Sequence, residues 1–408
     1  MTKILINILL TLICSQNVFA TIGDYNPPEL LARSDIQDGY NLPAMTFLNN
    51  PTPVINNNGE VLFKVMSVEG TNNQGIWLKS LDDQNGKIVY IAPEERFITD
   101  PSINDSGKIV FNLYDEGVTD GIFEMDSKSL EVDQILKPTN LPIQHYTYPQ
   151  ILNNDHIIFR ATNDLNDRAI YDLSGQKLKK LLSEGNEILK HKISYLFRPS
   201  ANEKGNLVLK VRFGDRGQWN EENPDAIILV SPSLDPKIPG PIFKILAADK
   251  DLDPQSNYQA FGNSVSLSHF GNIAFSATQS DSKKSILFFK DNQIKVYASE
   301  GADDIGEIEL FAPKVNDLGQ VLFRAKDASG ARAIFLADGD SVKKILREGD
   351  VVNTDQGLAK VLDNPNFPGF GGEVDLNDKG DILVLTILIG AFDNKELGSA
   401  IYKISPKI

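Results

Sequence analysis

The chain has 408 residues, with 40 Lys and Arg against 55 Asp and Glu and a formal net charge of −15. That balance argues against nucleic acid as a partner, because such binding begins with a basic surface displacing counterions from phosphates, and against electrostatic docking on anionic lipid. A hydrophobic share of 41% is ordinary for a globular protein, and 30 Gly with 21 Pro make the chain rich in turns.

Residues 1–20 read as an export signal. Lys3 supplies the positive n-region, ILINILLTLIC an apolar stretch too short to span a bilayer, and Val18-Phe19-Ala20 the small residues of a cleavage site. Cleavage after Ala20 removes the single Cys, Cys14, and with it any disulfide, thiolate nucleophile or Cys-ligated zinc. A lipoprotein reading of Cys14 fits less well, since Ile13 stands where that site needs a small residue. No later segment is long and apolar enough to span a membrane. The expectation is a protein exported to the periplasm or beyond, with residues 21–408 forming one domain.

From residue 55 onward one phrase recurs: an apolar residue, Asn, two polar residues, Gly, a variable residue and two apolar residues, often followed by Phe. The copies are INNNGEVLF from Ile55, INDSGKIVF from Ile103, LNNDHIIF from Leu152, ANEKGNLVL from Ala201, LSHFGNIAF from Leu267, VNDLGQVLF from Val315 and LNDKGDILV from Leu376. The Asn positions are 56, 104, 153, 202, 316 and 377, with Ser268 in the fifth copy, which gives a period near 48 and two insertions. Asn-x-x-Gly between apolar runs is a tight hairpin turn. The amide accepts a bond from the backbone two residues on, and Gly takes the left-handed conformation. In the third copy His156 stands where Gly is expected and is read as a strained turn residue rather than a ligand.

Each copy continues into a second apolar strand (GIWLKS, GIFEMD, AIYDLS, AIILVS, SILFFK, AIFLAD, AIYKIS) and usually a third (KIVYIA, VDQIL, LKKLL, IFKIL, IKVYA, VKKIL). A short strand precedes the turn, so the unit is four strands, A to D. Seven such units predict an all-β, seven-bladed β-propeller. The seventh unit lacks strand D. Leu30-Leu31-Ala32-Arg33-Ser34-Asp35 aligns with Ile345-Leu346-Arg347-Glu348-Gly349-Asp350, the strand D exit of the sixth unit. The first strand of the mature chain is therefore expected to close the ring on the last blade and remove an open edge. Trp77, inside GIWLKS, is expected in the core.

These repeats resemble those of secreted bacterial proteins with tandem Asn-x-x-Gly-x-x-x-Phe-type units. More distantly they are similar to the TolB-type propeller blade, where a Ser-Pro-Asp-Gly turn precedes an apolar strand ending in Phe. The tails LLSEGN, YASEGA and ILREGD match the Glu-Gly-Asp ends of the first group. The resemblance implies the fold. It carries no activity and no catalytic residues.

Function is sought on the face formed by the B–C and D–A loops, where the insertions fall. One is FGDRGQWNEENPD, from Phe213 to Asp225; the others are Ala248 to Gly262 and Val351 to Gly372. Long loops on a rigid scaffold are where binding resides. Arg216, Trp219 and Tyr258 are the candidate ligand-binding residues: a Trp in a polar loop beside an Arg suits a protein contact or a sugar face, although the same Trp could simply pack its loop onto the blade. Glu184, Glu300, Glu348 and Asp350 recur at strand D exits, and Asp249 to Pro254 (DKDLDP) is densely acidic. A calcium site is weighed for both and set below turn capping and solvated surface, for want of a D-x-D-x-D-G loop. No metal or cofactor motif is evident, and no G-x-S-x-G, H-E-x-x-H or phosphate-cradling loop. The leading expectation is a binding or scaffold propeller that recognises a protein or glycan through its elaborated face. The alternatives are a carbohydrate-active hydrolase or lyase with carboxylates at the mouth of the central channel, and a structural surface protein with no discrete ligand.

Overall fold

A computed structural model describes residues 22–48, 50–116, 118–138, 143–163, 167–215, 223–233 and 241–407. Their strands form seven antiparallel sheets, one per repeat. Blade 3 shows the pattern: strand A is Ile143–Ile151, B Ile157–Asn163, C Arg168–Ser174 and D Lys177–Ser183, paired in that order. Apolar faces of adjacent blades meet in separate clusters, such as Leu152, Ile158 and Ile170 of blade 3 against Leu207, Leu209 and Ile228 of blade 4. Strand B is a near-continuous buried run, as in Leu207–Phe213 where every residue is buried, and because successive side chains point to opposite faces the blade is covered from both sides. Trp77 is fully buried, stacked on Phe63 at 4.4 Å, and donates Nε1–H to the carbonyl of Asn41 at 2.8 Å.

The ring closes as the sequence predicts. Glu29–Arg33 pairs antiparallel with Glu396–Ile404, strand C of blade 7. Arg33 is wholly buried there. Its Nε and Nη2 hold the two oxygens of Asp355 at 2.7 and 2.8 Å, and Nη1 meets Asp35 at 2.9 Å. Asp355 lies in a hairpin, Val351–Thr354 with Gly357–Val361, whose second strand pairs beside strand B of blade 7. The insertion between Val351 and Gly372, expected as loop, thus begins as a hairpin that clamps the closure.

The third turn corrects the sequence alignment. In six blades the turn opens with an i to i+3 and i to i+4 backbone pair from Asn56, Asn104, Asn202, Ser268, Asn316 or Asn377. In blade 3 that position is Leu152, not Asn153: Leu152 N–H bonds to His156 O, and Asp155 N–H to Leu152 O. Asp155 therefore takes the left-handed conformation at φ 62°, where the other six have Gly at 78° to 100°. His156 is not the strained residue. It lies one place further on and pairs with Asp172 at 2.8 Å. Asp tolerates left-handed φ because its short side chain bonds locally, and an Asn in each of positions 153 and 154 hid the one-residue slip.

Candidate functional site: the loop end of the central channel

Strand A of every blade faces the channel, and its side chains form layers. The turn Asn residues make the lowest. Each uses Oδ1 to accept N–H groups of its own turn, as Asn56 does from Asn58 and Glu60. Each then donates Nδ2–H to a carbonyl of the next blade: Asn56 to Asn104 at 2.9 Å, Asn104 to Leu152 at 3.1 Å, Asn202 to Ser268 at 3.1 Å, Asn316 to Asn377 at 3.1 Å and Asn377 to Asn56 at 3.1 Å. In blade 5, where Ser268 lacks the amide, Asn272 supplies it and reaches Asn316 O at 3.0 Å. Asp would keep the acceptor and lose this donor, which is why the repeat holds Asn. At the seam between blades 3 and 4, where Leu152 has no amide, Gln150 and Asn154 donate instead, to Ala201 O at 3.2 Å and Glu203 O at 3.1 Å.

Just outside this layer the next turn residues also bond around the ring. Asp105, Asp317 and Asp378 accept the N–H groups of Asn57, Phe270 and Asp317 at 2.8, 2.7 and 2.7 Å. Burial and the nearby Asp317 and Asp105 push the Asp378 carboxyl upward, against the N–H of Asp317 that lowers it.

Two residues before the turn Asn, a second layer bonds in the same direction. Ser102, Gln150, Ser200, Ser266 and Asp375 accept N–H from Ile151, Ala201, Leu267, Val315 and Ile55 of the following blade, at 2.9 to 3.3 Å. A third set comes from strand B. Lys64, Asn112, Arg160, Lys210 and Arg324 donate to strand A carbonyls of the next blade (Ile98, Tyr146, Leu196, Phe261 and Gly372). The sequence signal for these was a polar residue interrupting each apolar strand B directly after its aromatic or aliphatic core position.

The strand D carboxylates are also occupied. Glu348 accepts N–H of Arg332 and of Gly369 at 2.8 Å each, Glu300 those of Lys284 and Ile308 at 2.9 Å each, and Glu184 those of Arg168. Asp350 accepts the N–H of Arg347, and Asp249 those of Asp225 and Leu252. Each ties strand D to strand C of its blade or to the following segment, so capping accounts for the recurrence.

The uppermost layer lies four residues before each turn position: Thr52, Asp100, Tyr148, Arg198, Ser264, Ala312 and Glu373. No residue type is repeated. With Lys64, Lys314 and Asp375 these side chains line a cavity of about 420 Å³ that runs down the channel to the turn layer. Tyr148 sits in a bulge of strand A at φ 58°, a strained conformation for a bulky residue. It is 40% exposed, with the guanidinium groups of Arg198 and Arg160 over its face at 4.9 and 5.1 Å. Arg198 Nη1 meets Glu373 at 3.0 Å, Lys314 Nζ meets the same carboxylate at 3.2 Å, and Lys64 Nζ lies 3.5 Å from Asp100. Burial would raise the Glu373 carboxyl, but Lys314 and Arg198 outweigh it and hold Glu373 below the usual range. For Asp375 burial wins over Lys314 and the N–H of Ile55, and its carboxyl is pushed up.

Of the residues singled out in the sequence, Arg216 and Trp219 lie outside the described residues. Tyr258 begins strand A of blade 5, half-buried against Phe261 at 5.5 Å and apart from the cavity lining. Tyr148, Arg198, Lys314 and Glu373 were not foreseen. Their only sequence signal was that the position four before the turn never repeats, which the slip at Leu152 obscured.

The chain belongs to a family described as "Family of unknown function (DUF7453)", whose model matches residues 142–407, blades 3 to 7. No curated protein sequence matches it. Among solved structures it is similar to an oligogalacturonate lyase in complex with manganese, at 10% identity and TM-score 0.53, covering 95% of this chain and 98% of the other. An oligogalacturonate lyase from Vibrio parahaemolyticus matches at 10% identity and TM-score 0.53, covering 94% and 98%. The acylaminoacyl peptidase of Pyrococcus horikoshii matches at 14% and 0.51, covering 86% of this chain and 52% of that one. At these identities the likeness is one of fold.

Proposed function

We propose that the protein is an exported recognition propeller whose loop-bearing face binds a protein or glycan, with the loop end of the channel as the focus of binding. One observation supports this above the others. Beneath the uppermost layer the polar side chains are spent on joining blades, whereas the seven residues of that layer are all different and Tyr148 is held there in a strained bulge. A cavity of about 420 Å³ lined by hydroxyls, an aromatic face and fixed charges suits a hydroxyl-rich ligand of sugar size. Arg216 and Trp219, on the blade 4 insertion, belong in this reading to the outer rim of the same face.

The second reading, a carbohydrate-active hydrolase or lyase, draws support from Glu373 and Asp375. They lie two residues apart on one strand, with their carboxyls driven in opposite directions, the pattern that separates a base from an acid. Asp375 already accepts the N–H of Ile55, so the recognition reading is preferred. The test is capture from envelope extract and on a glycan array with wild-type protein and Tyr148→Gly. Recognition expects a partner retained by wild type and lost by a variant that melts normally. Capture unaffected by Tyr148→Gly, or no partner at all, contradicts it.

A further inference from the structure

A bar crosses the loop end of the channel. Arg198 belongs to blade 4 and Glu373 to blade 7, three blades apart and so as far separated as a seven-membered ring allows, yet their side chains meet at 3.0 Å. Lys314, from blade 6, reaches the other oxygen of Glu373 at 3.2 Å. One carboxylate therefore holds two cations. The other carboxylates of the lining, Asp375 and Asp100, have partners of their own: Asp375 is buried and accepts the N–H of Ile55. Asp100 is engaged by Lys64 and by the Thr52 hydroxyl at 3.1 Å. Lys64 and Arg160 are accounted for as donors to the next blade. Arg198 is not a staple of that kind: among the described residues only Nη1 has an acceptor, and Nε and Nη2 are left over.

We propose that the ligand of this site is a small hydroxylated carboxylate, a sugar acid by class, whose carboxylate takes Arg198 and Lys314 from Glu373 and so opens the bar. The proposal rests on the recognition reading above. A guanidinium presents a planar fork that matches a carboxylate, and the exchange leaves Glu373 without its two cations, a cost that the ligand must offset and that Glu373→Gln removes. In a chain of net charge −15, Arg198 and Lys314, which converge on one carboxylate inside this cavity, are the cations that an anionic ligand would meet there. Thr52, Ser264 and the Tyr148 hydroxyl stand in the same layer for the hydroxyls of such a ligand.

The experiment is titration calorimetry at low ionic strength with three matched pairs: glucuronate and glucose, galacturonate and galactose, gluconate and glucitol. The acid of at least one pair is expected to bind at least tenfold more tightly than its neutral partner. Glu373→Gln, which removes the competitor, is expected to tighten that binding by about tenfold. Arg198→Gln is expected to erase the preference and Arg198→Lys to restore part of it, each in a variant shown by its melt to be folded. Neutral members binding as well as the acids would overturn the carboxylate and leave recognition standing. Binding by none of the six would overturn the sugar-acid proposal, and the capture experiment decides recognition separately. Weaker acid binding in Glu373→Gln would overturn the bar.

Discussion

The two ends of the channel are built from the same strand A in the same seven blades, and they use their polar groups differently. At the turn end, amides and carboxylates repeat from blade to blade and face neighbours: Asn377 closes the circle by bonding to Asn56, and Asp378 does so by binding the Asn57 side chain. At the loop end, four residues earlier, Thr52, Asp100, Tyr148, Arg198, Ser264, Ala312 and Glu373 share no type and are joined to one another sparsely. In a repeat protein, then, the residue that recurs is the one the architecture needs. The residue that departs from the repeat, at a position where every blade faces the same space, is the one free to serve a ligand. The recurring Asn and the Glu-Gly tails would attract attention in a search for sites, yet the hydrogen bonds assign both to the ring.

The largest expected effect breaks the ring on which both ends depend. Arg33→Ala leaves Asp355 without its bidentate partner beneath the closing strand. Loss of one member of a buried pair costs about 3–5 kcal/mol, read as a lower denaturant midpoint. A drop under about 1 kcal/mol would mean that the closure does not depend on the clamp. Next in size is Asn316→Asp, which keeps the acceptor for Gln320 N–H but sets a carboxylate against Asn377 O. A cost of about 1–3 kcal/mol is expected for the lost buried donor. Smaller still is an acid effect that marks which charges at the loop end are structural. Burial would raise the Asp327 carboxyl, but hydrogen bonds from Lys344, Ser329 and Arg347 hold it far below the usual range. A carboxyl with a lowered folded pKa contributes stability above its unfolded value, about 3.9, that is lost as pH falls. Asp327→Asn should therefore flatten the fall in melting temperature below about pH 4, while leaving ligand capture intact.

The fold was legible in the sequence because the turn chemistry recurs at a near-constant period. Gly in left-handed φ recurs in six blades and the amide before it in five, each meeting a local requirement of the turn. Closure by Leu30-Leu31-Ala32-Arg33 was legible for the same reason, as one more copy of strand D. Other features depended on contacts between blades. Nothing local distinguishes Leu152 from Asn153 as the start of the third turn. That took the backbone pairing of Leu152 with His156, which moves the left-handed residue to Asp155. The slip displaced Tyr148 from its proper column. Arg198 and Glu373 are 175 residues apart, and only the ring brings them across a channel. Trp77 could be placed in the core from its strand, whereas the loop insertions could be located but not oriented from composition alone.

The contrast between the two ends is tested most directly by one pair of melting curves, for Asn316→Asp and Tyr148→Gly. Gly relieves a left-handed backbone that costs other residues about 1 kcal/mol, so Tyr148→Gly is expected to melt no lower than wild type, and Asn316→Asp clearly lower. The reverse order, with Tyr148→Gly strongly destabilised and Asn316→Asp unchanged, would contradict the account, because the strained tyrosine would then serve the fold and the recurring asparagine would not.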